Sequence, residues 1–414
     1  MASAGALADG TRPGVVIAGG GIGGLATALA LARRGIASHV LERRPAWSEA
    51  GAGIQLSPNA VRALRHLGVG ADLEALAGVP RALVVRAAGD GRVLQRLPLG
   101  DWIAQRHGAP YWQVHRRDLQ AVLVAAVARE PRIAVSLGET VVGFAANDDG
   151  IWVKTGSGQR ISARLLVGAD GVFSNVRNGF LPQSPPVYSG RIAARTVIAR
   201  AQLPAVRDGS GQPLIDPDTT GVWLAPGSHV VHYPVRGGSD LAVVVVRTDP
   251  VGPQGWSMPV DAADIENAVL ASAPALAGAL GSGHVWRQWA LYEAGPYRRW
   301  SQDGVTLLGD AAHPTLPFMA QGGAMALEDA VVLAHFMAQA ADGGSIGQAV
   351  ARYEALRQPR TAAIVAAARR NGRIFHLSGL AARARDAGMR ILPADRVMAG
   401  YDWIYGWQPP LDNG

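Results

Sequence analysis

Two side chains of a predicted strand could hold an aromatic ring between them. His229 and Tyr233 lie four residues apart in a segment that alternates apolar and polar residues, which predicts a β-strand. Side chains at this spacing point to the same face, with Cα atoms about 13 Å apart. An imidazole can take up or donate a proton and a phenol can hydrogen-bond a ligand. The same residues also fit a sheet histidine satisfied by a carbonyl and a half-buried sheet tyrosine.

A glycine-rich turn near the N-terminus predicts a dinucleotide site. Gly19, Gly21 and Gly24 follow an apolar run at 15–18 and open an Ala/Leu-rich helical segment. Glycines there permit a tight turn, close approach of a pyrophosphate and close packing of helix on strand. Glu42 ends the next predicted strand, where an acid accepts hydrogen bonds from a ribose. The fingerprint alone does not distinguish NAD from FAD.

A second ligand-binding pattern occupies residues 305–330. An apolar strand leads into a turn that bears Asp310, and a glycine pair, Gly322 and Gly323, opens an Ala/Leu-rich helix. Amides at a helix start are unpaired and attract negative charge. We expect a structural role for His313, because proline follows it and no second ligand pair stands at metal spacing. No metal site is predicted.

A third segment, residues 161–177, is a predicted buried strand that ends in Gly-Ala-Asp-Gly and contains Asp170. In this order the three patterns resemble the motifs of class A, single-component FAD-dependent aromatic hydroxylases. The resemblance implies that Asp310 holds the ribityl chain of FAD. It also implies that Asp170 lies near that chain and the path of the nicotinamide. Because the chain has one dinucleotide fingerprint, FAD is expected to stay bound while NADH or NADPH visits.

The resemblance assigns individual residues to the cofactor and the substrate. The residues expected at FAD are Gly19, Gly21, Ile22, Gly24, Glu42, Arg43, Ile54, Arg116, Asp170, Asp310, Gln321, Gly322, Gly323 and Ala324.

In this family, reduced flavin and O2 form a flavin hydroperoxide, an electrophile that a phenolate ring attacks best. A base or relay near the phenol is therefore needed, and we expect His229 to assist deprotonation. Tyr233 matches the family's position for substrate contact. Tyr111 and Pro317 are expected in the substrate pocket.

Within the family, the segments at 51–59, 111–119, 229–238 and 401–407 resemble hydroxybenzoate, salicylate and hydroxynicotinate hydroxylases. The expected substrate is therefore a small hydroxylated aromatic carboxylate. Enzymes that hydroxylate 3-hydroxybenzoate at position 6 carry a catalytic glutamine where this chain has Pro317, whereas the salicylate and hydroxynicotinate enzymes carry proline. The ring position is left open.

The expected fold class is α/β: a Rossmann-like FAD-binding domain of the para-hydroxybenzoate hydroxylase type with an inserted antiparallel-sheet substrate domain and C-terminal helices. The FAD domain is predicted at 14–75, 105–183 and 285–375. The substrate domain is predicted at 76–104 and 184–284, with one solvent-exposed sheet face. The C-terminal helical segment and tail occupy 376–414, and the aromatic tail is expected to pack against the body.

Composition restricts the other possible functions. The 414 residues carry a formal charge of +7 with Lys154 as the only lysine, and the arginines are spread along the chain rather than clustered for nucleic acid. Cysteine is absent, so no disulfide or thiolate chemistry is possible. Residues 1–13 lack a signal-peptide core, and the uncharged run 15–32 contains five glycines. A cytoplasmic protein without a membrane span is expected, and a homodimer is possible.

Two other functions remain open from the sequence. The same fold could oxidise a larger polycyclic or quinone-like substrate, although the short insert argues mildly against one. A non-catalytic flavin-binding paralogue is the second alternative, and the complete set of flavin motifs counts against it.

Overall fold

The computed structural model describes residues 14–47, 53–147, 150–182, 185–209, 211–252, 258–341 and 344–410. The N-terminal segment 1–13 and the first two residues of the segment 51–59 lie outside the described ranges.

The strands are numbered in chain order. They are β1 (Val15–Ala18), β2 (Ser38–Glu42), β3 (Gly53–Leu56), β4 (Ala82–Ala87), β5 (Val93–Pro98), β6 (Trp112–His115), β7 (Ile133–Leu137), β8 (Val141–Asn147), β9 (Gly150–Thr155), β10 (Arg160–Ala163), β11 (Leu165–Gly168), β12 (Val187–Ala199), β13 (Thr220–Ala225), β14 (Ser228–Val235), β15 (Asp240–Thr248), β16 (Met258–Pro259), β17 (Arg287–Glu293), β18 (Ser301–Gln302) and β19 (Val305–Leu307).

The α-helices are numbered in the same way. They are α1 (Ile22–Ala32), α2 (Pro58–His66), α3 (Gly70–Glu74), α4 (Gly100–His107), α5 (Arg116–Ala128), α6 (Asn175–Phe180), α7 (Ala262–Ser272), α8 (Pro274–Leu280), α9 (Gly322–Ala341), α10 (Ile346–Phe375), α11 (Gly379–Ile391), α12 (Ala394–Ala399) and α13 (Asp402–Tyr405).

A mostly parallel sheet brings the three motifs together. Its order is β18-β19-β11-β1-β2-β7, and β1 pairs in parallel with both β2 and β11. Ala18 pairs with Gly168, and Gly168 pairs with Leu307, so β1, β11 and β19 end side by side. The chain leaves each strand at the same sheet edge, where α/β proteins bind ligands. The turns after these strands bear Gly19, Asp170 and Asp310.

Two glycines of the first turn are required by close packing. Gly19 has φ +107°, and a Cβ there would lie 2.4 Å from the carbonyl oxygen of Ala169. A Cβ on Gly24 would lie 1.9 Å from the carbonyl oxygen of Gly19. Larger side chains would push α1 away from the sheet, so the turn and the helix position depend on these residues.

The second large sheet has the order β16-β17-β12-β15-β14-β13-β4-β5. Neighbouring strands are antiparallel except β13 and β4, which are parallel. The predicted α/β class with an antiparallel sheet and C-terminal helices is confirmed. The domain limits themselves stay a prediction, and the pairing of β17 with β12 extends this sheet past the boundary expected at residue 285.

The expectation of a solvent-exposed sheet face was wrong. Helices α7 and α8 cover the face of the second sheet that points away from His229 and Tyr233. Ile265, Val269 and Leu276 from these helices join a buried cluster with Trp223 and Val243 of the sheet. A run of valines on both faces of β15 has to be covered on both sides, because exposing it would cost hydrophobic free energy.

The C-terminal tail packs against the body, as expected. Tyr405 is buried, and its ring contacts Tyr111 edge-on at 6.2 Å between ring centroids. Arg62 of α2 donates to the carbonyl oxygens of His107, Tyr405 and Trp407. These bonds satisfy carbonyls near two helix ends and hold the tail in place.

A buried acid–arginine cluster joins α9 to α10. Its members are Glu328, Asp329, Arg357 and Arg360. Arg357 donates to Asp329 Oδ1 and Glu328 Oε2, each at 2.6 Å. Burial raises the pKa of Asp329, but His313 and Arg357 outweigh this effect and hold the pKa at about 2. The carboxylates therefore stay ionised because cations face them.

Arg357→Met should lower the free energy of unfolding by about 3–5 kcal/mol, because it leaves two buried carboxylates without their shared cation. Denaturant unfolding followed by fluorescence measures the loss. Arg352→Met, on the exposed side of the same helix, is the control and should change stability by less than about 0.5 kcal/mol. Equal effects from the two substitutions would contradict a structural role for the cluster.

Candidate active site

A cavity of about 330 Å³ opens where the parallel sheet's carboxyl edge meets the second sheet. Loops after β1, β11 and β19 form one wall, and β12, β15 and β14 form the other. Predicted site residues that line it are Gly21, Ile22, Ile54, Arg116, His229, Tyr233, Asp310, Pro317, Gly322 and Gly323. The structure therefore brings the cofactor motifs and the pair from β14 into one site.

The first motif forms the cavity wall at the start of α1. Gly21 is the N-cap of this helix, and a Cβ there would point into open space. Glu42 is 6% exposed, and its Oε2 accepts a hydrogen bond from Gly20 N at 2.8 Å. Its Oε1 accepts from Arg44 N at 3.0 Å. A carboxylate has further lone pairs, so Glu42 can orient the turn and still accept from a ribose. Arg43 is exposed beside it.

Asp170 caps the helix that follows β11. Its Oδ2 accepts from Asn175 N at 2.8 Å and from Val176 N at 3.1 Å, while Ser174 Oγ donates to its Oδ1. The residues on either side of it, Ala169 and Gly171, line the cavity. The carboxylate thus fixes the geometry of this turn.

The late motif is anchored from behind by the acid–arginine cluster. Asp329 Oδ2 accepts from Gly309 N at 3.1 Å and lies 2.5 Å from His313 Nε2. His313 therefore has the structural role expected of it, in the loop that presents Asp310 to the cavity.

The glycine pair of the late motif begins α9 at the cavity. Gln321 is buried, donates to Ser57 Oγ at 2.9 Å and accepts from Asn59 Nδ2 at 3.1 Å. Ala324 is buried behind the pair. A Cβ on Gly323 would lie 2.9 Å from Ile54 Cδ1, so a side chain there would obstruct the wall. The helix therefore presents bare backbone amides toward the cavity.

These residues fit FAD on structural grounds. The starts of α1 and α9 both meet the cavity without side chains, and each offers unpaired amides to an anionic group. Arg116 adds a cation, and Asp310 adds an acceptor for hydroxyl groups. When bound, FAD supplies an electrophilic oxygen derived from O2. The individual contacts stay predictions.

His229 and Tyr233 occupy the opposite wall. They are 3% and 4% exposed and lie on one face of β14, with Val231 between them. Burial, His376 and Arg191 lower the pKa of His229 to about 3, so its imidazole is neutral near neutral pH. Burial raises the pKa of Tyr233 to about 12 although Arg195 opposes it, so its phenol keeps its proton. Two neutral groups that can hydrogen-bond thus face the flavin loops.

The two residues predicted for the substrate pocket differ in position. Pro317 lines the cavity at the start of a short 3₁₀ turn. Tyr111 lies behind the wall and reaches the cavity through Gln55, because its hydroxyl donates to Gln55 Oε1 at 2.8 Å. Burial raises the pKa of Tyr111, so it acts here as a neutral donor.

Sequence reasoning missed Arg195 and His376. Arg195 lines the cavity, stacks its guanidinium 5.2 Å from the Trp289 ring centroid, and has no hydrogen-bond partner for Nε among the described residues. His376 lies 2.9 Å from His229 across 147 residues of sequence. A charge on the inward side of a strand was a signal for Arg195; no local pattern marks His376.

Within the described ranges, no group of three potential metal-ligating side chains occurs. None of the helices described there has the length and hydropathy needed to cross a membrane.

Comparisons with known proteins agree with this geometry. A family model described as an FAD binding domain matches residues 12–368. The 3-hydroxybenzoate 6-hydroxylase of Polaromonas naphthalenivorans (strain CJ2) is 34% identical over 394 residues, which cover 95% of this chain and 96% of that enzyme. The 3-amino-4-hydroxybenzoate 2-monooxygenase of Streptomyces cremeus is 36% identical over 399 residues, covering 95% and 94%.

A crystal structure of Klebsiella pneumoniae HpxO complexed with FAD and uric acid superposes with a TM-score of 0.80 at 27% identity, covering 93% of this chain and 95% of that one. The chain therefore belongs to the FAD-binding family of aromatic-ring monooxygenases. FAD is its cofactor and NADH or NADPH its electron donor, as the three motifs predicted.

Asp310→Ala should weaken FAD binding about 10- to 100-fold, because a hydrogen bond to a charged acceptor contributes about 1.5–3 kcal/mol. Titration of apoprotein with FAD, followed by flavin fluorescence, measures the dissociation constant. Asp264→Ala removes an exposed acid of α7 and should leave that constant unchanged. Unchanged FAD affinity in Asp310→Ala would show that Asp310 does not contact the cofactor.

Proposed function

We propose that this enzyme hydroxylates a small monocyclic aromatic ring that carries both a hydroxyl and a carboxylate group. The observation that carries the proposal is the shared wall formed by His229, Tyr233 and Arg195. A guanidinium offers paired donors that suit a carboxylate. The named relatives, 3-hydroxybenzoate 6-hydroxylase and 3-amino-4-hydroxybenzoate 2-monooxygenase, act on rings with these two groups.

The cavity supports a small substrate. The loops expected to hold FAD line the same 330 Å³ that His229 and Tyr233 line. Bound FAD would take up part of this volume, which would leave room for one aromatic ring rather than a polycyclic system. Apolar side chains of Val231, Val244 and Val246 form the floor between the polar groups. This division suits a flat ring with polar substituents at its ends.

Each group on the wall has a role in this proposal. Arg195 binds the carboxylate, and its charge stabilises negative charge elsewhere on the ring. His229 contacts the ring hydroxyl and assists its ionisation, which activates the ring toward the electrophile. Tyr233 donates a hydrogen bond from its protonated phenol. The loops of the first wall shield the reacting carbon from water.

Pro317 restricts the ring position. Proline offers no side-chain donor or acceptor, so it cannot hydrogen-bond the substrate hydroxyl from the flavin side of the cavity. His229 and Tyr233 then carry the hydroxyl contact alone. This arrangement favours a binding pose like that of salicylate or hydroxynicotinate enzymes over the one that gives 6-hydroxylation of 3-hydroxybenzoate. A cytoplasmic location and a homodimer stay predictions.

A screen of aromatic acids tests the proposal. Purified FAD-loaded enzyme should oxidise NADH or NADPH faster when a monocyclic hydroxyaromatic acid is added, and mass spectrometry should find one added oxygen atom. Salicylate should stimulate more than 3-hydroxybenzoate. Clean 6-hydroxylation of 3-hydroxybenzoate at the higher rate would contradict the role of Pro317, and failure of every monocyclic acid would contradict the substrate class.

Arg195→Met should raise the KM for the stimulating acid about 10- to 100-fold, because it removes a charge-assisted hydrogen bond worth about 1.5–3 kcal/mol. The matched control is the carboxamide of the same acid, whose KM should change less than about threefold since its neutral group gains little from the charge. Steady-state kinetics on both compounds make the measurement. An equal increase in KM for the acid and for the carboxamide would mean that Arg195 does not bind the carboxylate.

A further inference from the structure

His229 has a partner that none of the sequence motifs contains. Its Nδ1 lies 2.9 Å from Nε2 of His376, the residue that follows α10. His376 is only partly buried, whereas His229 is 3% exposed and lines the cavity. Because Nδ1 of His229 is engaged by His376, Nε2 is the ring nitrogen left for a ligand.

Both imidazoles are neutral in this environment. Phe318 and Phe375 pack against the His229 ring, each with ring centroids 5.4 Å apart. The charged groups that face the pair are cations, Arg191 and Arg385. Burial together with these neighbours lowers the pKa to about 3 for His229 and about 4 for His376. Two neutral rings share one proton across the 2.9 Å contact, so one ring donates and the other accepts.

The unpartnered nitrogen of His376 decides which ring donates. Its Nδ1 is buried and has no hydrogen-bond partner among the described residues. If His376 accepted at Nε2, its own proton would sit on Nδ1 as a buried N–H without an acceptor. Buried donors without partners are rarer than buried acceptors without partners. The arrangement with His376 Nε2–H donating to His229 Nδ1 is therefore favoured.

That arrangement sets the tautomer of the cavity histidine. Since His229 accepts at Nδ1 and is neutral, its proton sits on Nε2. We propose that His376 is a positioning residue that fixes His229 as an Nε2–H donor, which stabilises the substrate hydroxyl as an oxyanion instead of removing its proton. The hydroxyl proton then passes to bulk water as the ring binds. This inference rests on the proposed function, and it replaces the general-base role expected from the sequence.

Nearby charge is consistent with a bound oxyanion. Arg195 shares the cavity wall with His229. Arg191 contributes to lowering the pKa of His229. These cations favour an anionic ring and oppose a protonated imidazole. A neutral imidazole that donates to developing negative charge is an established use of histidine in enzymes.

Two substitutions of His376 that are isosteric with each other distinguish the two roles of His229. In one role its Nε2–H donates to the substrate oxygen, and in the other a bare Nε2 removes the proton. His376→Gln keeps an N–H that can donate to His229 Nδ1. His376→Glu offers an acceptor instead, which forces the proton of His229 onto Nδ1 and turns a bare Nε2 toward the cavity. Nitrogen-15 NMR of the imidazoles in FAD-loaded protein, with His229→Ala to assign the signal, reports the tautomer without any substrate.

We expect the Nε2–H tautomer of His229 in the parent enzyme and in His376→Gln, and the Nδ1–H tautomer in His376→Glu. Product formed per NADH oxidised should fall about 10- to 100-fold in His376→Glu, the range for losing a hydrogen bond to a charged oxygen. It should then match His229→Ala, while His376→Gln stays within about threefold of the parent. Flavin reduction by NADH and FAD retention should be the same in His376→Gln and His376→Glu, since the two variants differ only in whether residue 376 donates or accepts.

Three results would overturn the inference: an Nδ1–H tautomer in the parent, full product yield in His376→Glu, or parallel loss of FAD or flavin reduction in that variant. A lack of stimulation by any aromatic acid would instead refute the proposed function, and the tautomer measurement would still decide the state of His229.

Discussion

The pair of adjacent buried carboxylates Glu328 and Asp329 determines where the flavin-binding loops lie. Asp329 holds Gly309 N and His313 on one side, and Glu328 accepts from Asn59 Nδ2 at 2.7 Å on the other. Arg357 of α10 donates to both carboxylates, and Arg360 of the same helix adds a second cation at Glu328. Two charges can remain buried only if their cations and hydrogen-bond donors stay in place, so the loops and α10 are fixed as one unit.

The same helix ends at the second wall of the cavity. His376 follows α10 and contacts His229, so one element runs from the cluster behind the flavin loops to a histidine that lines the cavity. The cavity between these walls carries excess positive charge from Arg116 and Arg195 and two unpaired helix starts. Anionic ligands therefore meet a favourable field before any specific contact forms.

The sequence predicted the parts of the site that depend on local geometry. Gly19 could be predicted because the tight turn after β1 needs a positive φ. Asp310 could be predicted because it follows an apolar strand and because the three motifs occur in the order that the family shows. Arg195 and His376 were not predicted, since their positions depend on strand register and on the path of a 30-residue helix. Helices at 262–280 were missed in the same way, because the need to cover a second sheet face appears only once the sheet is formed.

A crystal structure of the FAD-loaded enzyme with a stimulating aromatic acid tests the central claim most directly. The account predicts that the ring lies over Val231 and Val244, with its carboxylate on Arg195 and its hydroxyl oxygen within hydrogen-bond distance of His229 Nε2. A ring bound outside this wall, or a reversed pose with the carboxylate on His229 and the hydroxyl on Arg195, would contradict it.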